Sequence, residues 1–154
     1  MQYLPRVPPW LCLLMLVWVG PAMAAGKLKV TDAWIRAAPP GAQVMAGYAT
    51  LTNEGDTPLV ILAVQSGDFR MAALHESLAE GGMAKMRELR RLVIAAGQTV
   101  QLAPGAKHLM LMQPRREVAA GDQVIVTFLL EDGARLDAHF DVLAPDASDA
   151  HAHE

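Results

Sequence analysis

The stretch Ala134-Arg135-Leu136-Asp137-Ala138-His139-Phe140-Asp141-Val142-Leu143 puts Leu136, Ala138, Phe140 and Val142 on one side of an extended chain and Arg135, Asp137, His139 and Asp141 on the other. Strict alternation of this kind marks a half-buried β-strand with one face in a core and one in water. The same rhythm runs back through the chain. Turn signals rich in Gly, Asp, Asn and Pro at 53–56, 66–68, 80–82, 96–97, 104–105, 121–122 and 131–133 separate short runs of apolar and β-branched residues. Strands are expected at 28–35, 46–53, 59–64, 72–77, 83–90, 98–102, 107–113, 123–130 and 134–143. No window sustains a helical apolar stripe over three turns, although Met83 to Val93 is compatible with a short helix-like piece. Ala37-Ala38-Pro39-Pro40-Gly41 reads as a loop, because paired prolines remove ladder donors. The expected class is all-β, a sandwich or barrel.

The chain has 154 residues, 53% of them hydrophobic and 19% charged, which suits one domain and excludes a multidomain enzyme. Thirteen Lys and Arg against sixteen Asp and Glu give a net charge of −3 with no basic block, so no nucleic-acid partner is expected. Residues 1–24 read as a signal peptide: Arg6 is the positive start, Trp10 to Val19 the apolar run, and Ala22-Met23-Ala24 the cleavage site. The protein is therefore expected to be exported to the periplasm, to begin at Ala25 once cleaved, and to have no stable membrane insertion thereafter. Residues 25–145 would form the domain, and residues 146–154 a flexible acidic tail containing His151 and His153. The single cysteine, Cys12, leaves with the leader. Thiol redox chemistry, a thiolate zinc site and a Cys-centred blue-copper site are thereby excluded from the mature chain.

What remains for chemistry is sulfur and imidazole. Beyond residue 24 stand Met45, Met71, Met83, Met86, Met110 and Met112 and all five histidines, whereas nucleophile-elbow, phosphate-loop and His-Glu-x-x-His patterns are absent. Lys107-His108-Leu109-Met110-Leu111-Met112, read as a strand, puts His108, Met110 and Met112 on one face. An imidazole and a thioether two residues apart lie within roughly 7 Å and can close on one soft metal ion. Alone, such a pair is also what core filling produces, since Met is an adaptable apolar residue. Met112 and Met83 are read as packing, Met71 and Met45 as core or loop, and His139 as a surface histidine.

The wider spacing is more specific. His75, ten residues, Met86, twenty-one residues, then His108-x-Met110 gives H-x10-M-x21-H-x-M. With Ala46-Gly47-Tyr48-Ala49-Thr50-Leu51-Thr52-Asn53, Leu74-His75-Glu76, Pro104-Gly105 and Gly121-Asp122, the chain resembles the periplasmic Cu(I)-binding chaperones of the PCuAC type over most of 28–143. The resemblance implies a cupredoxin-like Greek-key β-sandwich in which His75, Met86, His108 and Met110 bind one Cu(I). Two thioethers among four donors independently favour Cu(I) over zinc. By the same resemblance the protein is a metallochaperone and not an enzyme, delivering copper toward the dinuclear copper centre of cytochrome c oxidase alongside a thiol-containing assembly protein. Competing readings are a periplasmic copper-buffering or resistance protein, a copper redox protein, and a structural β-sandwich. The harder donors His151 and His153 in the acidic tail suit a secondary Cu(II) site.

Overall fold

Along the last strand the alternation holds: Ala138, Phe140 and Val142 are buried while Arg135, Asp137, His139 and Asp141 are exposed. The computed structural model describes residues 28–80 and 83–145, and among these it contains ten strands. They are β1 (Leu28–Arg36), β2 (Val44–Asn53), β3 (Leu59–Ser66), β4 (Phe69–Glu80), β5 (Met83–Glu88), β6 (Leu92–Ile94), β7 (Thr99–Leu102), β8 (Lys107–Pro114), β9 (Gln123–Leu130) and β10 (Arg135–Leu143). The hydrogen-bonded order is β5-β4-β8-β2-β1-β10-β9-β3-β6, with β7 pairing β2. All pairings are antiparallel except β1 with β10.

That one parallel rung joins the two halves of a β-sandwich. β1 pairs β2 over Leu28 to Ile35 and β10 over Trp34 to Arg36, and its register with β2 shifts between Thr31 and Trp34. Asp32 sits in that shift at φ 51°, a backbone conformation that a bulge imposes and that non-glycine residues seldom adopt. The chain crosses between halves again at 67–68, because β3 belongs to the β9 side and β4 to the β8 side. Phe128, Phe140, Ile61 and Val126 from one half and Leu51, Leu109, Leu111 and Ile35 from the other are fully buried in one core.

Asn53 is a fully buried polar residue that closes the turn after β2. Its Nδ2 donates to the carbonyls of Thr57 (2.8 Å) and Ile94 (3.0 Å), and its Oδ1 accepts from the Gly55 N–H (2.9 Å). Each side-chain polar atom is thus satisfied, which is what makes burial of the amide tolerable.

The structure settles several expectations, bearing out the strand expected at 83–90 as β5 and correcting the placement of Met71. Met83 to Val93 holds no helix; it is β5 and the short strand β6. The buried-exposed-buried pattern of Leu92, Val93 and Ile94 is only three residues long, too short for any periodicity to reveal. Met71 is neither core nor loop: it lies within β4, which begins three residues earlier than expected, and is 49% exposed. Met112 stands half-buried on the outer face of β8 that it shares with His108 and Met110, and Met45 is a core residue. The leader at 1–24 and the tail at 146–154, with His151 and His153, lie outside the described residues, as does the side chain of Met83.

Candidate metal centre

β8 displays the two-faced pattern on which the site depends. Leu109 and Leu111 are wholly buried, while His108, Met110 and Met112 point to the opposite side of the sheet. Cross-strand register then decides what surrounds them. His75 on β4 is the direct partner of His108, Ala73 that of Met110, and Met71 that of Met112. On the other side of β4, Ser77 faces Met86 and His75 faces Glu88. Partners opposite one another share a face, so His75, Met86, His108 and Met110 all stand on the outer face of the three-stranded array β5-β4-β8. Residues separated by up to 35 positions become neighbours within two strand spacings.

The two imidazoles are stacked, with ring centroids 6.2 Å apart and an interplanar angle of 24°. His108 is buried, at 6% exposure, and its Nδ1 lies 3.0 Å from the Ala106 carbonyl oxygen. A carbonyl accepts only, so this contact assigns the proton to Nδ1 and leaves the Nε2 lone pair free to bind a metal. His75 is half-buried, and its Nδ1 is buried with no hydrogen-bond partner among the described residues. An unsatisfied buried polar atom costs about 1–3 kcal/mol, and it marks a ring whose polar atoms are incompletely used by the fold alone. Met86 lies on the edge strand β5 and is 57% exposed, so its thioether is accessible from solvent. Among the described residues no three His, Cys, Asp or Glu side chains cluster to hold a metal, so the candidate donor set is two imidazoles and two thioethers.

The register behind this face is pinned by charge. Glu76 receives Lys107 from β8 (Nζ to Oε1 2.8 Å) and Arg87 from β5 (Nη2 to Oε2 2.9 Å). The Lys107 ammonium and then the Arg87 guanidinium hold its carboxyl below the usual carboxylate range. Each member of this triad is the chain neighbour of a candidate donor: Glu76 of His75, Lys107 of His108, Arg87 of Met86. A slip of one residue in β5 would break the triad and turn Met86 to the other side of the sheet. Sequence spacing did not reveal this device, although opposite charges beside each donor were its available signal.

Two further features frame the site. Met110 is flanked by Ala46 on β2 and Ala73 on β4, so no large side chain stands beside the thioether at that rung. Gly47, next to Ala46, leaves room for Leu109: a Cβ there would lie 3.3 Å from the Leu109 Cβ. Further along the same outer face Trp34 and Tyr48 pack with ring centroids 4.5 Å apart, and burial pushes the Tyr48 phenol up against an opposing pull from Arg36. His139, by contrast, is exposed on β10 with its Nδ1 2.9 Å from Gln123 Oε1, and takes no part in the cluster.

Fold and cluster together define a β-sandwich carrying an imidazole–thioether site on an open sheet face, the donor chemistry of soft-metal proteins. Residues 28–142 match the family described as "Putative lipoprotein LpqE-like". The chain belongs to this LpqE-like family, which is the family of the PCuAC copper-binding domains. The "Putative lipoprotein Lxx21020" of Leifsonia xyli subsp. xyli is 31% identical over 115 residues, covering 74% of this chain and 68% of that protein. The solution structure of CuI-DR1885 from Deinococcus radiodurans is 32% identical with a TM-score of 0.61, covering 79% of this chain and 83% of that one. An apo PCuAC domain from PmoF1 is 27% identical with a TM-score of 0.64, covering 78% and 96%. Among the described residues no helix is long and apolar enough to cross a membrane.

Proposed function

We propose that the protein is a periplasmic copper metallochaperone that holds one Cu(I) through His75, Met86, His108 and Met110 and delivers it toward the dinuclear copper centre of cytochrome c oxidase. The observation that carries the reading is the convergence of these four donors on one face, with the His108 proton held on Nδ1 by Ala106 and its Nε2 left available. Thioether and neutral imidazole suit the soft Cu(I) ion, and neither needs a thiolate that an oxidising compartment would convert to disulfide. The copper-bound state of DR1885 and the copper-binding identity of the family support copper as the cargo. An exposed edge-strand ligand suits delivery, because a partner's thiol can displace Met86 before the buried His108 is disturbed. The protein acts by ligand exchange and is not an enzyme. His151 and His153, with the carboxylates of the tail, supply a secondary site for Cu(II), the harder ion.

Anaerobic titration with Cu(I) against a competing chelator tests the site: one tight equivalent is expected, lost in His108→Ala. Mixing the loaded protein with an apo oxidase copper domain and its thiol assembly partner then tests delivery. Copper that remains on the chaperone in that assay would point to buffering instead.

A further inference from the structure

Beyond the four donors, the register aligns a second pair of thioethers that spacing alone does not single out. Met71 and Met112 are direct cross-strand partners on β4 and β8, on the same outer face as His75 and Met110. Directly opposed side chains have Cβ atoms about 4.5–5.5 Å apart, close enough for two flexible thioethers to reach one ion. Neither belongs to the core: Met71 is 49% exposed and Met112 half-buried, while the alternate positions Leu74 and Leu111 are buried. Single exposed methionines need no explanation, but an opposed pair in line with Met110 places three sulfur atoms along one strip.

We propose that Met71 and Met112 form a second, weaker Cu(I) site, joined to the first through Met110. This inference rests on the copper-chaperone reading of the four-donor cluster. Met110 is two residues from Met112 and diagonal to Met71, and its flanking alanines leave the strip open. A groove along β4 is lined by Met71, Ala73, Met112, His75 and Glu88, so it touches both members of the thioether pair and one donor of the first group. At about 3.3 Å per residue, the Met71–Met112 rung lies about 13 Å from the His75–His108 rung, with Met110 midway. The step between sites is ligand exchange only: copper–sulfur bonds to Met71 and Met112 break as bonds to imidazole and Met86 form, Met110 is kept throughout, and the copper charge is unchanged. The groove carries Arg70 and Arg115 as well as Glu88, and the two donors that face each other are neutral thioethers, which suit a soft monovalent ion better than a hard divalent one.

The test follows methionine methyl signals by NMR in the mature full-length chain, titrated anaerobically to one and then two equivalents of Cu(I) beside a competing chelator. The first equivalent should move the Met86 and Met110 methyls, and the second those of Met71 and Met112, binding about tenfold or more weakly because it lacks imidazole. The Met71→Leu/Met112→Leu variant, which keeps side-chain volume, should hold the first equivalent within about twofold and lose the second. A second equivalent retained by that variant, or Met71 and Met112 methyls that stay in place, would overturn the proposal. His108→Ala separates the two readings. It should abolish the first binding event while the Met71 and Met112 methyls still respond; a first event unaffected by it would sink the four-donor reading and leave the thioether pair to be judged on its own signals.

Discussion

β8 and β10 obey the same period-two rule and turn opposite kinds of surface outward. On β10 nearly every outward group is engaged by a neighbour: Arg135 donates to Gln65, Asp137 accepts from Thr127, His139 meets Gln123 and Asp141 accepts from Gln123. On β8 the outward row is His108, Met110 and Met112, and the hydrogen bond it makes is the one from His108 to Ala106. The first row uses its donors and acceptors to cover the sheet in water. The second leaves lone pairs free, which is the condition for binding a metal rather than for solvating a surface. A histidine on a strand is therefore informative only through its neighbours: His139 among charges is surface, and His108 among thioethers is a candidate donor.

Mutations can break the contrast from either side. The largest effect is expected on the inward face of β8. Leu111→Ala, at a fully buried position, should cost about 2–5 kcal/mol through lost burial and the cavity left behind, read from denaturant midpoints. Met112→Leu on the outward face of the same strand should stay below about 1.5 kcal/mol, since volume is conserved. Equal losses at the two positions would mean that the outward row is core after all.

Function should show the opposite polarity. His108→Ala is expected to weaken Cu(I) by more than about 100-fold, given that loss of a partner to a ligand alone costs 10–100-fold, whereas His139→Ala should leave affinity within about twofold. Met110→Ala should weaken Cu(I) far more than Cu(II), because thioether contributes chiefly to the soft ion. Cu(I) affinity should also fall on acidification, since protons compete for imidazole and not for thioether. Chelator competition at several pH values measures all three.

Smaller effects belong to the polar groups that hold the frame. Asn53→Ala would remove the acceptor of the Gly55 N–H and the donor to the Thr57 and Ile94 carbonyls, at an expected cost of about 1–3 kcal/mol by denaturation. The smallest is electrostatic. The Ala119 N–H and then the Arg116 guanidinium hold the Asp122 carboxyl below the usual carboxylate range. A carboxyl depressed in the folded state adds stability above its unfolded pKa and loses it as pH falls through the folded value. Asp122→Asn should therefore flatten the acid limb of the stability curve below about pH 4, without moving copper affinity. An unchanged acid limb would mean that the ion pair is fully screened.

Much of this could be read along the chain. The strands with clean alternation, β8 and β10, were legible because their two faces differ in polarity at every step. The four candidate donors were legible through the resemblance that the spacing H-x10-M-x21-H-x-M carries. Strand β6 was not, since three residues carry no period, and neither was the long start of β4, where Phe69 and Met71 flank an exposed Arg70. Met71 in particular has no spacing signal: its importance arises from the residue opposite it, 41 positions away, and not from anything beside it.

Alternation along the chain was enough to establish a β-protein with inward apolar and outward polar or sulfur-bearing faces, because side-chain direction alternates with a period of two whatever the partner strand. The sequence also limited the candidate donors to imidazole and thioether, since the described domain contains no thiol. Which candidate donors stand opposite one another depends on strand pairing, which no local pattern encodes. Pairing register is set by long-range burial and by the Glu76 triad, and a shift of a single residue would reverse a strand's faces, so the opposition of His75 to His108 and of Met71 to Met112 exists only once the sandwich has closed.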